Sequence, residues 1–152
     1  MAVAYALHVL FAVLWVGGMF FAYLCLRPAL AELDAKTRAG IWVRVLGRFF
    51  TVVLVAIPVM LLTGLYLIFL YGGFAKVGMH IHLMFGLGLL MMLLFLHVFF
   101  APFKRLKRAF EAGDTDTATR QIGQIRKLVG VNLTLGLLVV LIATAGRFGL
   151  GT

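Results

Sequence analysis

The sequence predicts an all-α integral membrane protein, a four-helix up-down bundle, and three observations support that fold class. Hydrophobic residues make up 64% of the 152 residues and charged residues only 12%, whereas soluble domains are about half apolar and about a quarter charged. The mean hydropathy is +1.11. The apolar residues fall into four runs, each long enough to cross a hydrocarbon core about 30 Å thick. We therefore expect one transmembrane domain, residues 1–152, in contact with the lipid bilayer.

The four apolar runs give the expected helices in order. Helices are predicted at about residues 3–26, 45–71, 78–101 and 128–146. Pro28 and Pro102 follow the first and third runs, where proline commonly ends a helix, whereas Pro58 lies inside the second run and should kink it. The connector, residues 102–127, is interpreted as a short cytoplasmic helical hairpin that carries no recognisable chemistry.

Positive charge is concentrated at one end of this predicted bundle. The net charge is +9; five of the 14 Lys and Arg residues lie between Arg27 and Arg48, and seven lie between Lys104 and Lys127. The loop between helices two and three has only Lys76. The positive-inside rule then predicts a protein of the inner (cytoplasmic) membrane with both termini on the non-cytoplasmic side. Such clustering is typical of cytoplasmic loops and indicates no nucleic-acid partner.

Four histidines are the candidate functional residues, because an imidazole within a membrane-spanning helix is costly and is retained mainly for function. His8 lies near the start of helix one, and His80 and His82 lie near the start of helix three, so all three are predicted at a similar depth near the outer face. Imidazoles from two helices at one depth suit the axial ligation of a haem iron. His97 lies about 20 Å deeper, and we interpret it either as a structural hydrogen-bond partner or as a proton-relay or substrate-side group.

His80 and His82 are expected to face opposite directions, because two residues correspond to about 200° around a helix. We expect His82 to face inward, since Gly86, one turn below it, leaves room for a flat cofactor or a close helix. His8 and His82 would then be the two axial ligands of a haem iron. Which of His80 and His82 is the ligand stays open at this point.

The face of helix three that carries His80 also carries Met84 and Met91. A stripe of one imidazole and two thioethers offers the soft ligands that Cu(I) prefers, although lipid-facing or core packing would give the same pattern. Two further residues are candidates for contact with a haem. Arg147, at the outer end of helix four, would pair with a propionate or anchor the helix at the interface, and Trp15 would stack on the macrocycle or pack in the core.

One run of helix one carries a family resemblance. Residues 6–18 read Ala-Leu-His-Val-Leu-Phe-Ala-Val-Leu-Trp-Val-Gly-Gly, and this run resembles the first helix of the CopD-type membrane proteins, named for copper resistance, and of the related HemJ-type protoporphyrinogen oxidases. Arg-Phe-Phe at 48–50 and Thr-Gly at 63–64 extend the resemblance. It implies a four-helix membrane protein with haem b near its outer face and His8 as a ligand. HemJ-type proteins have a lysine where this chain has His82, which favours a bis-histidine haem over their oxidase activity.

Three functions follow from these observations. The leading hypothesis is a haem b protein, a membrane oxidoreductase that transfers electrons at the outer side of the membrane, with the quinone pool or a redox protein as partner. The alternative is copper uptake or resistance through a His/Met site formed by His8, His80, Met84 and Met91. The third is a small subunit or assembly factor that packs against a larger respiratory complex, with its histidines incidental. Homo-oligomer formation is left open, and hydrolytic chemistry is disfavoured because all five acidic residues lie in predicted loops.

Overall fold

The computed structural model describes residues 1–146, and this part of the chain consists of helices and short connections without a β-strand. Four long helices follow one another: α1 (Ala2–Ala29), α2 (Ala35–Leu70), α3 (Met79–Glu111) and α4 (Thr115–Gly146). Each is long and apolar enough to cross a membrane. The predicted all-α fold with four membrane-spanning helices is therefore confirmed.

The helices pack as two close pairs. α1 packs mainly against α2, α3 packs mainly against α4, and α4 also contacts both α1 and α2. α4 approaches α1 and α3 closely at Gly136, where a Cβ atom would lie 2.9 Å from a methyl of Val16 in α1 and 3.1 Å from the Met91 methyl in α3. Because glycine has no side chain, the three helices can pack this closely. α1 and α3 meet through Trp15 and Phe95, whose rings lie edge to face with centroids 6.0 Å apart.

Two helices begin well before the apolar runs that predicted them. α2 begins at Ala35, where about 45 was expected, and α4 begins at Thr115, where about 128 was expected. Asp34 caps α2 by accepting a hydrogen bond from the Thr37 N–H at 3.0 Å, and Asp114 accepts one from the Thr117 N–H at 2.9 Å. Hydropathy marks only the membrane-spanning part of a helix, so these capped polar turns were missed.

The two prolines that were expected to end helices do not end them. α1 continues through a π-helical turn at Ala22–Leu26 and then across Pro28, and α3 continues through a π-helical turn at Phe99–Phe103 that contains Pro102. Proline removes a backbone N–H and its ring crowds the carbonyl four residues earlier. A wider π-helical turn accommodates such a disruption without ending the helix. The connector is therefore a helical hairpin whose arms continue α3 and α4.

The most buried side chains lie toward one end of the bundle. We call the end with the α1–α2 and α3–α4 connections the basic end, and the end with the α2–α3 loop and His8, His80 and His82 the histidine end. Phe50, which is 1% exposed, meets Phe95 and Phe103 edge to face at 5.3 and 4.9 Å. This aromatic cluster stabilises the basic end.

Candidate functional site

His8 is held by α2. Its Nδ1 atom lies 3.0 Å from the Thr63 hydroxyl oxygen, and that oxygen lies 2.6 Å from the carbonyl of Val59. The hydroxyl has one proton, which it donates to the carbonyl, so it accepts the hydrogen bond from His8 Nδ1–H. This assigns His8 as the Nδ1–H tautomer and leaves Nε2 with a free lone pair. A metal-ligating histidine is commonly held in this way, through a hydrogen bond from its other nitrogen.

Gly64 makes the room that the His8 ring occupies. A Cβ atom at this position would lie 3.1 Å from His8 Cε1 and 3.5 Å from Nδ1. The half-buried imidazole therefore lies between the Thr63 hydroxyl and the bare backbone of the next residue. Thr63 and Gly64 were part of the family resemblance noted in the sequence, but the sequence alone did not show what these two residues do. Counting depth along antiparallel α1 and α2 would have indicated that they face His8.

His82 lies on the loop side of α3 and is exposed. Its Nδ1 atom lies 3.2 Å from the carbonyl of Gly78, one turn back, and its ring centroid is 5.8 Å from that of Phe74 in the α2–α3 loop. Gly86, one turn further along, is exposed, and a Cβ atom there would meet nothing within 4 Å. The expected inward direction of His82 is therefore not observed, and no hydrogen bond of the described chain joins it to His8.

His80 faces the neighbouring helix. The side chain is half-buried, and a Cβ atom at Gly146 of α4 would lie 2.6 Å from its Cβ and Cγ atoms. The two histidines thus have the reverse of the expected orientation. The physical reason is that the glycine that makes room for a close helix is on α4, beside His80, and not on α3 beside His82.

The other two members of the His/Met stripe lie on the same side of α3. Met91 is buried, and its methyl would lie 3.1 Å from a Cβ atom at Gly136 of α4, whereas Met84 is half-buried. Met84 is one turn, about 6 Å, from His80 along the helix, and Met91 is about 16 Å from it. His80 and Met84 are therefore close enough to ligate one ion, and Met91 belongs to a separate, deeper position.

A groove opens beside His80 between α3 and α4. Its volume is about 310 Å³, and it is lined by Met79, His80, Leu83, Leu141, Ile142, Ala145 and Gly146. Among the described residues of this lining, His80 is the only one with an ionisable side chain. Within residues 1–146, no group of three or more His, Cys, Asp or Glu side chains is arranged to hold a metal ion. Among the described residues that line the groove, Met79 supplies a thioether beside the His80 imidazole.

Trp15 and His97 lie apart from these histidines. Trp15 is 2% exposed and packs against Phe95 in the core. His97 is exposed on α3. Arg147 lies outside the described residues. The structure thus brings His8 to Thr63 and His80 to the α3–α4 groove, and gives Trp15 and His97 separate surroundings.

One comparison with known proteins bears on these positions. The family model described as "CopD: Copper resistance protein D" matches residues 43–145 of the chain. The match covers about two thirds of the sequence, with most of α2, all of α3 and nearly all of α4. His80, Met84 and Met91 lie inside it and His8 lies outside it. The HemJ-type part of the sequence resemblance has no such match. No curated protein and no solved structure matches the chain.

Proposed function

The chain belongs to the copper resistance protein D (CopD) family, and from this premise we propose that it binds and handles copper within the membrane, with His80 and Met84 as ligands of Cu(I). The observation that carries the proposal is the position of His80, half-buried in the lining of the α3–α4 groove, with the half-buried Met84 one turn further along the same face of α3. Imidazole nitrogen and thioether sulfur are ligands that suit Cu(I). Copper is the cargo in this proposal, and the protein would act either in copper uptake or in copper resistance.

The remaining methionines extend the proposed route. Met79 lines the outer part of the groove, and Met91 lies on the His80 face two turns beyond Met84. An ion that enters past Met79 would meet His80 and Met84 first and Met91 afterwards. The part of the chain that the structure describes contributes an imidazole and a thioether to the groove and no carboxylate, and these ligands favour a soft monovalent ion over a hard divalent one.

Metal analysis tests the proposal. The full chain is purified under reducing conditions, loaded with Cu(I) against a competing chelator, and examined for copper stoichiometry and for visible absorption. One chelator-resistant Cu(I) per chain without a haem spectrum is the expected result. A Met84→Leu variant should bind Cu(I) about tenfold more weakly, as expected for disruption of a metal site. The matched control Met92→Leu alters a buried methionine outside the stripe and should bind as the unmodified chain does.

A haem b protein is the second candidate, and one observation favours it. The Thr63 hydroxyl holds His8 as the Nδ1–H tautomer, which leaves Nε2 ready to ligate a haem iron as well as a copper ion. In this reading His8 would hold the haem through Nε2, and the haem would supply electron transfer with the quinone pool or a redox protein at the outer side. A haem b spectrum that is lost in His8→Ala and a preparation without copper would favour it over copper handling.

We also propose that the chain lies in the inner membrane with both termini outside the cytoplasm. The support is the concentration of Lys and Arg at the basic end. In a Cys25→Ser background, an Ala75→Cys variant in the α2–α3 loop should react with a membrane-impermeant maleimide on intact spheroplasts. An Ala112→Cys variant in the α3–α4 turn should react only after lysis. The opposite pattern would reverse the orientation.

A further inference from the structure

A second groove lies between α1 and α4 near the basic end, away from the histidines. Its volume is about 560 Å³, and it is lined by Phe20, Tyr23, Leu24, Lys127, Gly130, Val131, Leu133, Thr134 and Leu137. Copper handling does not use it, and its lining has a different chemical character. One end is cationic and the rest is apolar.

The cationic end is built around Tyr23. Its ring rests on the backbone of Gly130, where a Cβ atom would lie 3.1 Å from Cε2 and 3.3 Å from the hydroxyl oxygen. The guanidinium of Arg27 lies 5.7 Å from the centre of the same ring, and Lys127 lines the groove from α4. The described residues that line the groove include no carboxylate, so the Lys127 ammonium and the Tyr23 hydroxyl line it without an opposing negative charge, and Arg27 lies beside the Tyr23 ring, outside this lining.

The apolar part runs from these cations toward the middle of the membrane. Phe20 and Leu24 of α1 and Val131 and Leu137 of α4 line it, and all four side chains are exposed. Lys127 and Leu137 are ten residues apart, which corresponds to about 15 Å along a helix. This is half of a hydrocarbon core about 30 Å thick, the depth of one leaflet.

We propose that this groove is a binding site for one anionic phospholipid. The phosphate lies against Lys127 and Arg27, the Tyr23 hydroxyl donates a hydrogen bond to it, and an acyl chain follows the apolar part of the groove. Basic pockets between transmembrane helices commonly bind anionic lipid headgroups in this way. A second copy of the chain packed here would bury Lys127 without a negative partner, which is costly. The proposal rests on α1 and α4 alone and is independent of copper.

Native mass spectrometry of the delipidated full chain in detergent tests this site, with phosphatidylglycerol and phosphatidylcholine as the two added lipids. The unmodified chain should bind one phosphatidylglycerol about fivefold more tightly than a Lys127→Gln variant, as expected for the loss of one cation near the headgroup. The matched control is Lys104→Gln. Lys104 also lies beside an aromatic ring, 4.9 Å from the centre of Phe100, but outside the groove, so the control should bind as the unmodified chain does.

Phosphatidylcholine should bind equally to all three proteins, and inorganic phosphate should not displace bound phosphatidylglycerol. Equal affinity of the unmodified chain and Lys127→Gln for phosphatidylglycerol would overturn the proposal. An equal loss in both lysine variants would also overturn it, because it would indicate general attraction to positive charge. A dimer whose formation excludes phosphatidylglycerol would assign the groove to a second copy.

Discussion

The two ends of the bundle differ in the residues that lie between the packed helices. At the basic end, large buried side chains such as Phe50 and Phe103, which are 1% and 2% exposed, pack between the helices. At the histidine end, α2 and α4 contribute glycines, Gly64 beside His8 and Gly146 beside His80. Large interlocking rings make a rigid core, whereas glycines leave space around an imidazole. Stability and binding should therefore depend on different ends of the molecule.

The largest expected difference between the two ends is in the free energy of unfolding. Phe50→Ala removes a ring that contacts Phe95, Phe99 and Phe103, and it should lower this free energy by about 3–5 kcal/mol. Leu83→Ala in the α3–α4 groove, where the side chain is half exposed, should lower it by less than about 1 kcal/mol. Reversible unfolding in mixed detergent measures both. Equal losses would mean that the core is not concentrated at the basic end.

A smaller effect is expected where α2 holds His8. Thr63→Val keeps the side-chain shape but leaves His8 Nδ1–H without its acceptor, and it should cost about 1–2 kcal/mol of unfolding free energy. Thr51→Val is the control, because the Thr51 hydroxyl donates only to the Gly47 carbonyl of its own helix. That substitution should cost less than about 0.5 kcal/mol. If the two variants lose equal stability, the His8–Thr63 hydrogen bond does not hold α1 to α2.

The smallest effect is expected at an exposed helix cap of the basic end, and it depends on pH. Hydrogen bonds from Thr37 lower the pKa of Asp34 below its ordinary value. The ionised cap therefore stabilises α2 above the pKa of the unfolded state, and this stabilisation is lost as pH falls through the lower folded pKa. Asp34→Asn keeps a capping oxygen without the charge, so its melting temperature should fall less steeply below pH 4. Parallel pH profiles would contradict this account.

The fold was predictable from the sequence because a membrane-spanning helix requires a long run of apolar residues, and the sequence contains four such runs. The ends of α2 and α4 were not predictable from hydropathy, since the turns after Asp34 and Asp114 are polar and are fixed by caps. The local pattern on α3 was also insufficient to orient its histidines. Gly86 suggested that His82 faces inward, but the deciding glycine, Gly146, belongs to another helix.

The residues of the candidate site were predictable from the sequence, but their arrangement in space was only partly predictable. His8 and the stripe of His80, Met84 and Met91 stand out as polar or soft ligands within apolar helices. The partner of His8, Thr63, lies 55 residues away in sequence. Its hydroxyl is also bonded to its own helix, an arrangement that is common for threonine in membrane helices. Depth along the antiparallel α1 and α2 separates Thr63 from Thr51, and the packing of α1 on α2 then fixes the contact with His8.

The central claim, that His80 in the α3–α4 groove binds Cu(I), is tested most directly by a comparison of the Cu(I) affinities of the His80→Ala and His82→Ala variants. The two histidines share one helix and are two residues apart, but only His80 lines the α3–α4 groove. We expect His80→Ala to bind Cu(I) at least about tenfold more weakly than the unmodified chain and His82→Ala to bind as the unmodified chain does. Unchanged binding in His80→Ala, or a comparable loss in His82→Ala, would contradict the assignment of the groove as the copper site.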